Sequence, residues 1–552
     1  MSKNATMRAI SSMRWAVLAT TAVAVLALLL AAGAPVFTND VFWHVATGRH
    51  LFEHGLARQP DPFSFTAAGQ PWFLHEWLTQ VVFAAVHGLG GLTALRLLTA
   101  ALAAALVVGV ARIGRRELRG LIGAALAVLM FLATAHARIQ TRPTLFTMLA
   151  LVLLLGRLMQ TEREWRRSDA AFAIALFLVW VNAHSVALIA LPLFATFAVG
   201  RGLDHVLANR GVTNLRPLGV GEGRRLVATL LGMAGASLLT PSGVELWGFA
   251  WQDKRDVMQY VSDEWEPFAL LPSLADALPI ATWVGVMLTL ATLLGAWLMT
   301  AVVLQATRDR LRSGLIPAPS RALLGAALLV GALMAQRFHW LVLFPFVMLV
   351  AHFRDAATRL SLRDTTRATL ARMSTAMGCC VLIVGALALT TVPRVERANV
   401  FGKALRADYW RQELADFLRL PALDFLCEAG IEGNVVCHYN SGGLISYRGY
   451  PALRVSIDSR IDLYRRDLYL DYVAVRDGRP DQQAILDRLG ADVYFRHFDL
   501  GPPVDAAAWL PVFASPSGDV WLRRGAPRTA ANLERAKRWG VGRGEVVSSP
   551  PR

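Results

Sequence analysis

Charge is scarce in this chain. Only 17% of its 552 residues are Asp, Glu, Lys or Arg, where a soluble chain carries about a quarter. Cysteine is scarcer still, at four residues, too few for a disulfide scaffold or a Cys-rich metal site. Cys379 and Cys380 lie inside an apolar block, which leaves Cys427 and Cys437 as the two that a disulfide would use. No Gly-x-y period and no long polar tract occurs, so a collagen-like rod and a disordered chain are both excluded. His75-Glu76 lacks the histidine at position 79 that a zincin helix needs. Gly219–Gly223 has no strand before it, so no dinucleotide site follows. No internal repeat is visible.

What the chain has is apolar surface: 55% hydrophobic residues and a mean hydropathy of +0.42, gathered in long uninterrupted blocks. The reading is a polytopic membrane protein. Lys3, Arg8 and Arg14 precede an apolar run from Trp15 to Ala34, long enough to cross a bilayer core and read as an uncleaved first span. The net charge of +16 would suggest nucleic acid in a soluble protein. Here the basic residues sit between apolar blocks, where they report orientation in a lipid bilayer instead.

Five arginine clusters (112–119, 157–167, 201–225, 308–321 and 354–372) belong on the cytoplasmic side together with the N-terminus. The segments 120–156, 170–200 and 322–353 each run between two such clusters. Each is too long for one comfortable span and short for two. Three tight hairpins of short helices resolve this, each turning on the outer side. Their tips are polar: His136, Arg138, Gln140 and Arg142; Asn182 and His184; Gln336 and Arg337. Such tips imply a recessed, cationic cavity opening outward, because ionisable groups at that depth must face protein or water. With further spans at 227–240, 278–303 and 375–392 the count is about eleven. The C-terminus then lies outside, although Arg394, Arg397, Lys403 and Arg406 follow the last span.

The expected fold is therefore an all-α membrane domain over 1–392, with a first outer loop at 35–77. A small α/β extracytoplasmic domain covers 393–525 and a basic, loose tail covers 526–552. Within 393–525, helices are expected at Ala422–Glu428 and around Gln482–Leu489. Strands are expected at Val435–Tyr439, Leu444–Tyr447, Arg454–Ile457 and Ala491–Phe495, and a hairpin at Leu510–Phe513 and Val520–Leu522.

The first outer loop holds the densest chemistry. A helix over Asp40–His54 puts Val41, Val45 and Phe52 on one stripe and Asp40, His44, Thr47 and His54 on another. That pattern suggests a helix lying on the membrane, with Trp43, Trp72 and Trp77 as an interfacial belt. Asp40 admits two readings. It is a functional acid, or a first-turn acid behind Thr38 or Asn39 that complements the helix dipole. His75 and Glu76 admit a similar pair. A divalent metal held by Asp40, His44, Glu76, His136 or His184 is chemically possible, though no tight ligand spacing supports it. Arg138, Arg142 and Arg337 suit a phosphate, or are satisfied structural arginines. The stretch Asp458-Ser459-Arg460-Ile461-Asp462-Leu463-Tyr464 reads first as a structural ion-pair network.

Several short motifs resemble a known family: Asp40-Val-Phe-Trp-His-Val-Ala-Thr-Gly-Arg49, Pro60-Asp-Pro-Phe-Ser-Phe-Thr66 and Pro71-Trp-Phe-Leu-His-Glu-Trp-Leu78. With them go Trp180-Val-Asn-Ala-His184, Thr240-Pro-Ser-Gly243, Glu264-Trp-Glu-Pro267 and Val455-Ser-Ile-Asp-Ser-Arg-Ile-Asp-Leu-Tyr464. They are similar to bacterial membrane proteins related to the GT-C superfamily of glycosyltransferases, which includes protein O-mannosyltransferases and the catalytic subunit of oligosaccharyltransferase. The resemblance implies sugar transfer from a polyprenyl-phosphate donor at the outer face of the bacterial cytoplasmic membrane. Asp40 would be base or acceptor-orienting acid, with His44 and Glu76 beside it. Arg138, Arg142 or Arg337 would hold the lipid phosphate, and His75, Asn182, His184 and Glu264 would line the cavity or meet the acceptor. The paired acids of several family members are here Asn39-Asp40-Val41. A transporter or lipid flippase, and a non-catalytic assembly protein, are the alternatives. The first normally places polar residues at the midplane in two repeated halves.

Overall fold

The computed structural model describes residues 40–251, 317–359 and 420–543, apart from short breaks at 57–59, 71, 136–137, 213–214, 461, 497–499, 504, 506 and 517. The first expected span, those at 278–303 and 375–392, Glu264, His136, Thr38 and Asn39 lie outside the described residues. The chain divides into two compact units. One comprises 1–34, 96–250 and 263–400, and the other comprises 35–95, 251–262 and 401–552.

The first unit is helical. Each of the three expected hairpin stretches is broken into two helices: Gly120–Ala135 and Thr144–Leu158, Arg167–Ala183 and Ala190–Asn209, and Pro319–Met334 and Leu343–Arg359. The third pair packs on itself, whereas Arg167–Ala183 packs mainly on Glu222–Ser237 and Ala190–Asn209 on Pro319–Met334. Short 3-10 turns, Ser185–Ile189 and Gln336–Val342, make the second and third tips. Leu, Ala and Val fill these helices, and their facing sides form one continuous core that includes Phe131, Leu155, Phe177, Phe194 and Trp340. Among the described residues two helices, Trp77–Glu117 and Ser185–Asn209, are long and apolar enough to cross a membrane by length and composition. The remaining apolar helices are shorter, because each hairpin breaks its run at the tip. The count of about eleven spans is thus not reproduced among the described residues.

The basic ends of the hairpins meet. Glu117 accepts from Arg321 and Arg116, and its carbonyl accepts from Arg354. Arg201 donates to Asp204 at 2.8 Å, and Asp204 also takes the Ser320 hydroxyl at 2.6 Å. Glu222 gathers Arg216 at 2.7 Å and the amides of Trp165 and Gly219. Clusters far apart in sequence thus share one end of the unit.

The second unit joins the first outer loop to the C-terminal residues. Its sheet has the order β2-β1-β3-β5-β4. β1 (Gly433–Val436), β2 (Leu453–Val455) and β3 (Val493–Arg496) are parallel. β4 (Trp509–Ser515) and β5 (Gly518–Arg523) form the expected hairpin, with β5 antiparallel to β3. Parallel neighbours require crossovers, and the helices Tyr439–Gly449, Arg466–Arg476 and Gln482–Leu489 supply them. The outer loop extends this sheet. Ser64 bridges to Val455, with Val455 N–H donating to Phe63 O at 3.0 Å and Phe65 N–H to Val455 O at 3.1 Å. The Pro60–Thr66 motif thereby covers the free edge of β2, which would otherwise invite pairing with another chain.

Two expectations about the C-terminal residues change. Leu444–Tyr447 lies inside the helix Tyr439–Gly449, since a short apolar run fits a buried helix as well as a strand. Gly442 sits in that helix because a Cβ there would lie 2.0 Å from Ile457 O; it marks a close crossing. Residues 529–543, expected to be loose, form a helix. Asn532 anchors that helix by donating to Glu432 O at 2.7 Å, and Phe425 packs on Trp539.

The helix Asp40–His54 has the expected bounds but does not lie open-faced on a surface. Val41 to Gly48 are all buried, and Phe52, expected in the apolar stripe, is 60% exposed. A Cβ on Gly48 would meet Gln80 O at 2.1 Å, so the helix Trp77–Glu117 crosses it closely. Phe42 packs on Tyr447 of the Tyr439–Gly449 helix from another side.

Cys427 and Cys437 are both free thiols. Cys437 is buried, donates to Ile457 O at 3.5 Å, and burial pushes its pKa up to about 12. At pH 8 the native protein is expected to leave Cys437 unmodified by maleimide, with labelling appearing on denaturation. Mass spectrometry of peptides labelled before and after unfolding checks this, and fast native labelling at Cys437 contradicts it.

Candidate functional site

Asp40 is the first residue of its helix and is half-buried. One oxygen of its carboxylate accepts from the Ser459 hydroxyl. One turn on, His44 is 2% exposed and its Nδ1 lies 3.8 Å from Glu76. Glu76 also faces His75 at 3.9 Å, and His75 Nδ1 faces Asp462 at 3.5 Å. His75 Nδ1 lies 3.1 Å from Phe73 O, which favours the proton on that nitrogen and leaves Nε2 toward Glu76. Carboxylates and imidazoles thus alternate from Asp462 through His75 and Glu76 to His44.

Beneath it lies a buried ion cluster. Arg460 is 2% exposed and Asp458 is 0% exposed. The guanidinium donates to Asp458 from Nε at 2.9 Å and from Nη2 at 2.6 Å, and its Nη1 donates to Asp61. Asp61 in turn takes the Ser64 amide at 2.7 Å. Trp72 and Phe63 surround the guanidinium at 5.0 and 5.4 Å, and Trp43 at 6.0 Å. Trp43 and Trp72, expected in an interfacial belt, are therefore buried around a cation; a guanidinium pairs with aromatic faces when desolvated. Burial would pull the Arg460 pKa down, but Asp458 and Asp61 more than reverse that and hold it well above its usual value. Burial, reinforced by Asp458, pushes the Tyr464 and Tyr469 phenols well up, so they stay protonated. The ion-pair reading of 458–464 is what the structure shows.

In the helical unit, Arg138, Arg142 and Arg337 are half-buried. The first and third hairpin tips are neighbours: Phe131 packs on Trp340 at 6.1 Å, and Arg138 acts electrostatically on His339. Asn182 and His184 behave otherwise. They are 7% and 6% exposed. His184 Nδ1 lies 2.7 Å from Thr147 Oγ1, which also takes the Trp180 indole N–H, and Asn182 donates to Leu239 O and Leu178 O. These two expected cavity residues tie the second tip to its neighbours, since polar groups in an apolar bundle must find partners inside it.

No protein-family model matches the chain, and no curated protein matches it. Among solved structures, the chain is similar to the oligosaccharyltransferase of Archaeoglobus fulgidus in its apo form. The TM-score is 0.48 and the identity 10%, over 88% of this chain and 69% of that one.

The structure adds two residues that sequence reasoning did not place near Asp40 or His75, namely Ser459 and Asp462. The one signal for them was the density of polar side chains directly after a strand. Among the described residues no group of three or more His, Cys, Asp or Glu side chains is placed to hold a metal ion.

Proposed function

We propose that this protein is a membrane glycosyltransferase that moves a hexosyl or pentosyl group from a polyprenyl-phosphate donor to an acceptor at the outer face of the membrane. The observation that carries this reading is the half-buried Asp40 carboxylate, anchored at the head of a buried helix beside the His44–Glu76–His75–Asp462 chain. The two long apolar helices support a membrane location, and the sequence resemblance supports the lipid-linked donor.

In this reading the acceptor hydroxyl attacks the anomeric carbon while Asp40 takes its proton. The bond from that carbon to the donor phosphate oxygen breaks. The lipid phosphate leaves with its electron pair, and the sequence resemblance gives Arg138, Arg142 and Arg337 the role of neutralising its charge. In this reading Asp40 also stabilises oxocarbenium-like charge on the sugar. His44 and Glu76 hold or pass on the proton.

The test is release of free polyprenyl phosphate by the purified full chain in nanodiscs, from a panel of polyprenyl-phosphate-linked hexoses and pentoses with candidate glycan, lipid and protein acceptors. No release from any member, with lipid-phosphate binding intact, turns the reading to a flippase or an assembly protein. Arg337→Ala is expected to weaken farnesyl phosphate binding roughly 10- to 150-fold, since a charge-assisted contact contributes about 1.5–3 kcal/mol. Its thermal stability should hold, because the side chain is only half-buried. Unchanged affinity removes Arg337 from the phosphate role.

A further inference from the structure

The segment 458–462 reaches the outer loop at three places. Asp458 is tied through Arg460 to Asp61, Ser459 donates to Asp40, and Asp462 faces His75. The first of these contacts is buried and the other two lie nearer the surface.

We infer that Ser459 is a positioning residue for Asp40, setting the orientation of the carboxylate that receives the acceptor's proton. The inference rests on the reading of Asp40 as general base. An acid at the head of a helix, half-exposed, has several rotamers open to it, whereas proton transfer needs one geometry within hydrogen-bond reach. Ser459 supplies the constraint because it is itself tied in place. Its carbonyl accepts from the Tyr439 hydroxyl at 3.3 Å, and its chain neighbours Asp458 and Arg460 are locked in the buried ion cluster. The Ser459 hydroxyl is thus a fixed point 419 residues away in sequence from the acid it holds. A purely structural tie between loop and sheet would act differently. The backbone pairing of Phe63 and Phe65 with Val455 and the Asp61–Arg460 contact already join the two, so the extra hydroxyl contributes little to stability.

The experiment compares kcat, donor KM and melting temperature for the full-length wild type, Ser459→Ala, Ser459→Thr, Asp40→Asn and the double variant. The donor is the polyprenyl-phosphate sugar of the panel that wild type turns over. Ser459→Ala is expected to lower kcat roughly ten- to a hundredfold with KM and melting temperature unchanged. Ser459→Thr keeps the hydroxyl and should return kcat to within about threefold of wild type. In the Asp40→Asn background, Ser459→Ala should cause no further fall. Should the alanine protein not fold, Ser459→Cys, close in shape and a weaker donor, should show the same loss. Wild-type kcat in Ser459→Ala alongside an inactive Asp40→Asn overturns the positioning role alone. So does a fall that threonine does not restore, or one of equal size in the double variant. Wild-type turnover in Asp40→Asn, or no turnover by the wild type, removes the base and its positioning residue together.

Discussion

Purified, folded Asp40→Asn protein is expected to transfer sugar roughly 10²–10⁴-fold more slowly than wild type, the usual contribution of a general base. The size of the effect separates the two readings of this acid. As a partner of the helix dipole alone, Asp40 contributes about 0.3–1 kcal/mol, and its loss touches stability slightly and chemistry not at all. Asparagine keeps the shape and still offers an oxygen to the Ser459 hydroxyl, which the carboxylate accepts in the native protein. Melting temperature and farnesyl phosphate affinity should therefore stay near wild type while turnover collapses. Turnover within a few-fold of wild type would move the base to Glu76, which faces both His44 and His75.

Arg460→Ala is expected to be the most damaging single change to the fold. It leaves Asp61 and Asp458, with side chains that are both 0% exposed, facing each other without their cation. Breaking a buried pair from one side costs about 3–5 kcal/mol. It also empties the space that Trp43, Phe63 and Trp72 enclose. Limited proteolysis should cut the outer loop and the 458–464 segment in the variant and spare both in wild type. Replacing Asp61 and Asp458 by Asn and Arg460 by Met together should recover part of the loss, because no unpaired charge is then left buried. Equal protease resistance in Arg460→Ala and wild type contradicts the role given to this cluster.

The parts of the architecture visible in the sequence were those set by local constraints. Arginine clusters bounding stretches of awkward length foretold that each stretch would break into two helices, and the structure has the breaks at Ala135/Thr144, Ala183/Ala190 and Met334/Leu343. The bounds of the helix Asp40–His54 and the Leu510–Leu522 hairpin were legible for the same reason. What failed depended on distant partners. Trp43 and Trp72 have the composition of an interfacial belt, and nothing nearby in sequence says that Arg460 will sit between them. Leu444–Tyr447 looks extended until the crossing at Gly442 is known. The helix 529–543 has a low apolar content, and its place depends on Glu432 and Phe425 about a hundred residues earlier. In the candidate site, Asp40, His44 and Glu76 stood out by type, whereas Ser459 and Asp462 became visible only through contacts across some 400 residues.

That separation has a consequence for how the protein is made. Asp61 and Arg460 are 399 residues apart, so at roughly 5–20 residues per second of synthesis the outer loop waits about 20–80 s for its partner. During that interval Asp61 has no guanidinium, the Pro60–Thr66 segment has no β2 edge to join, and Trp43 and Trp72 have no cation to enclose. The loop therefore matures last although it is translated early. A nascent chain interrupted anywhere between the outer loop and β2 presents the same unfinished surface, whatever the point of interruption. Such a surface gives chaperones and proteases a single, recognisable mark of incompleteness.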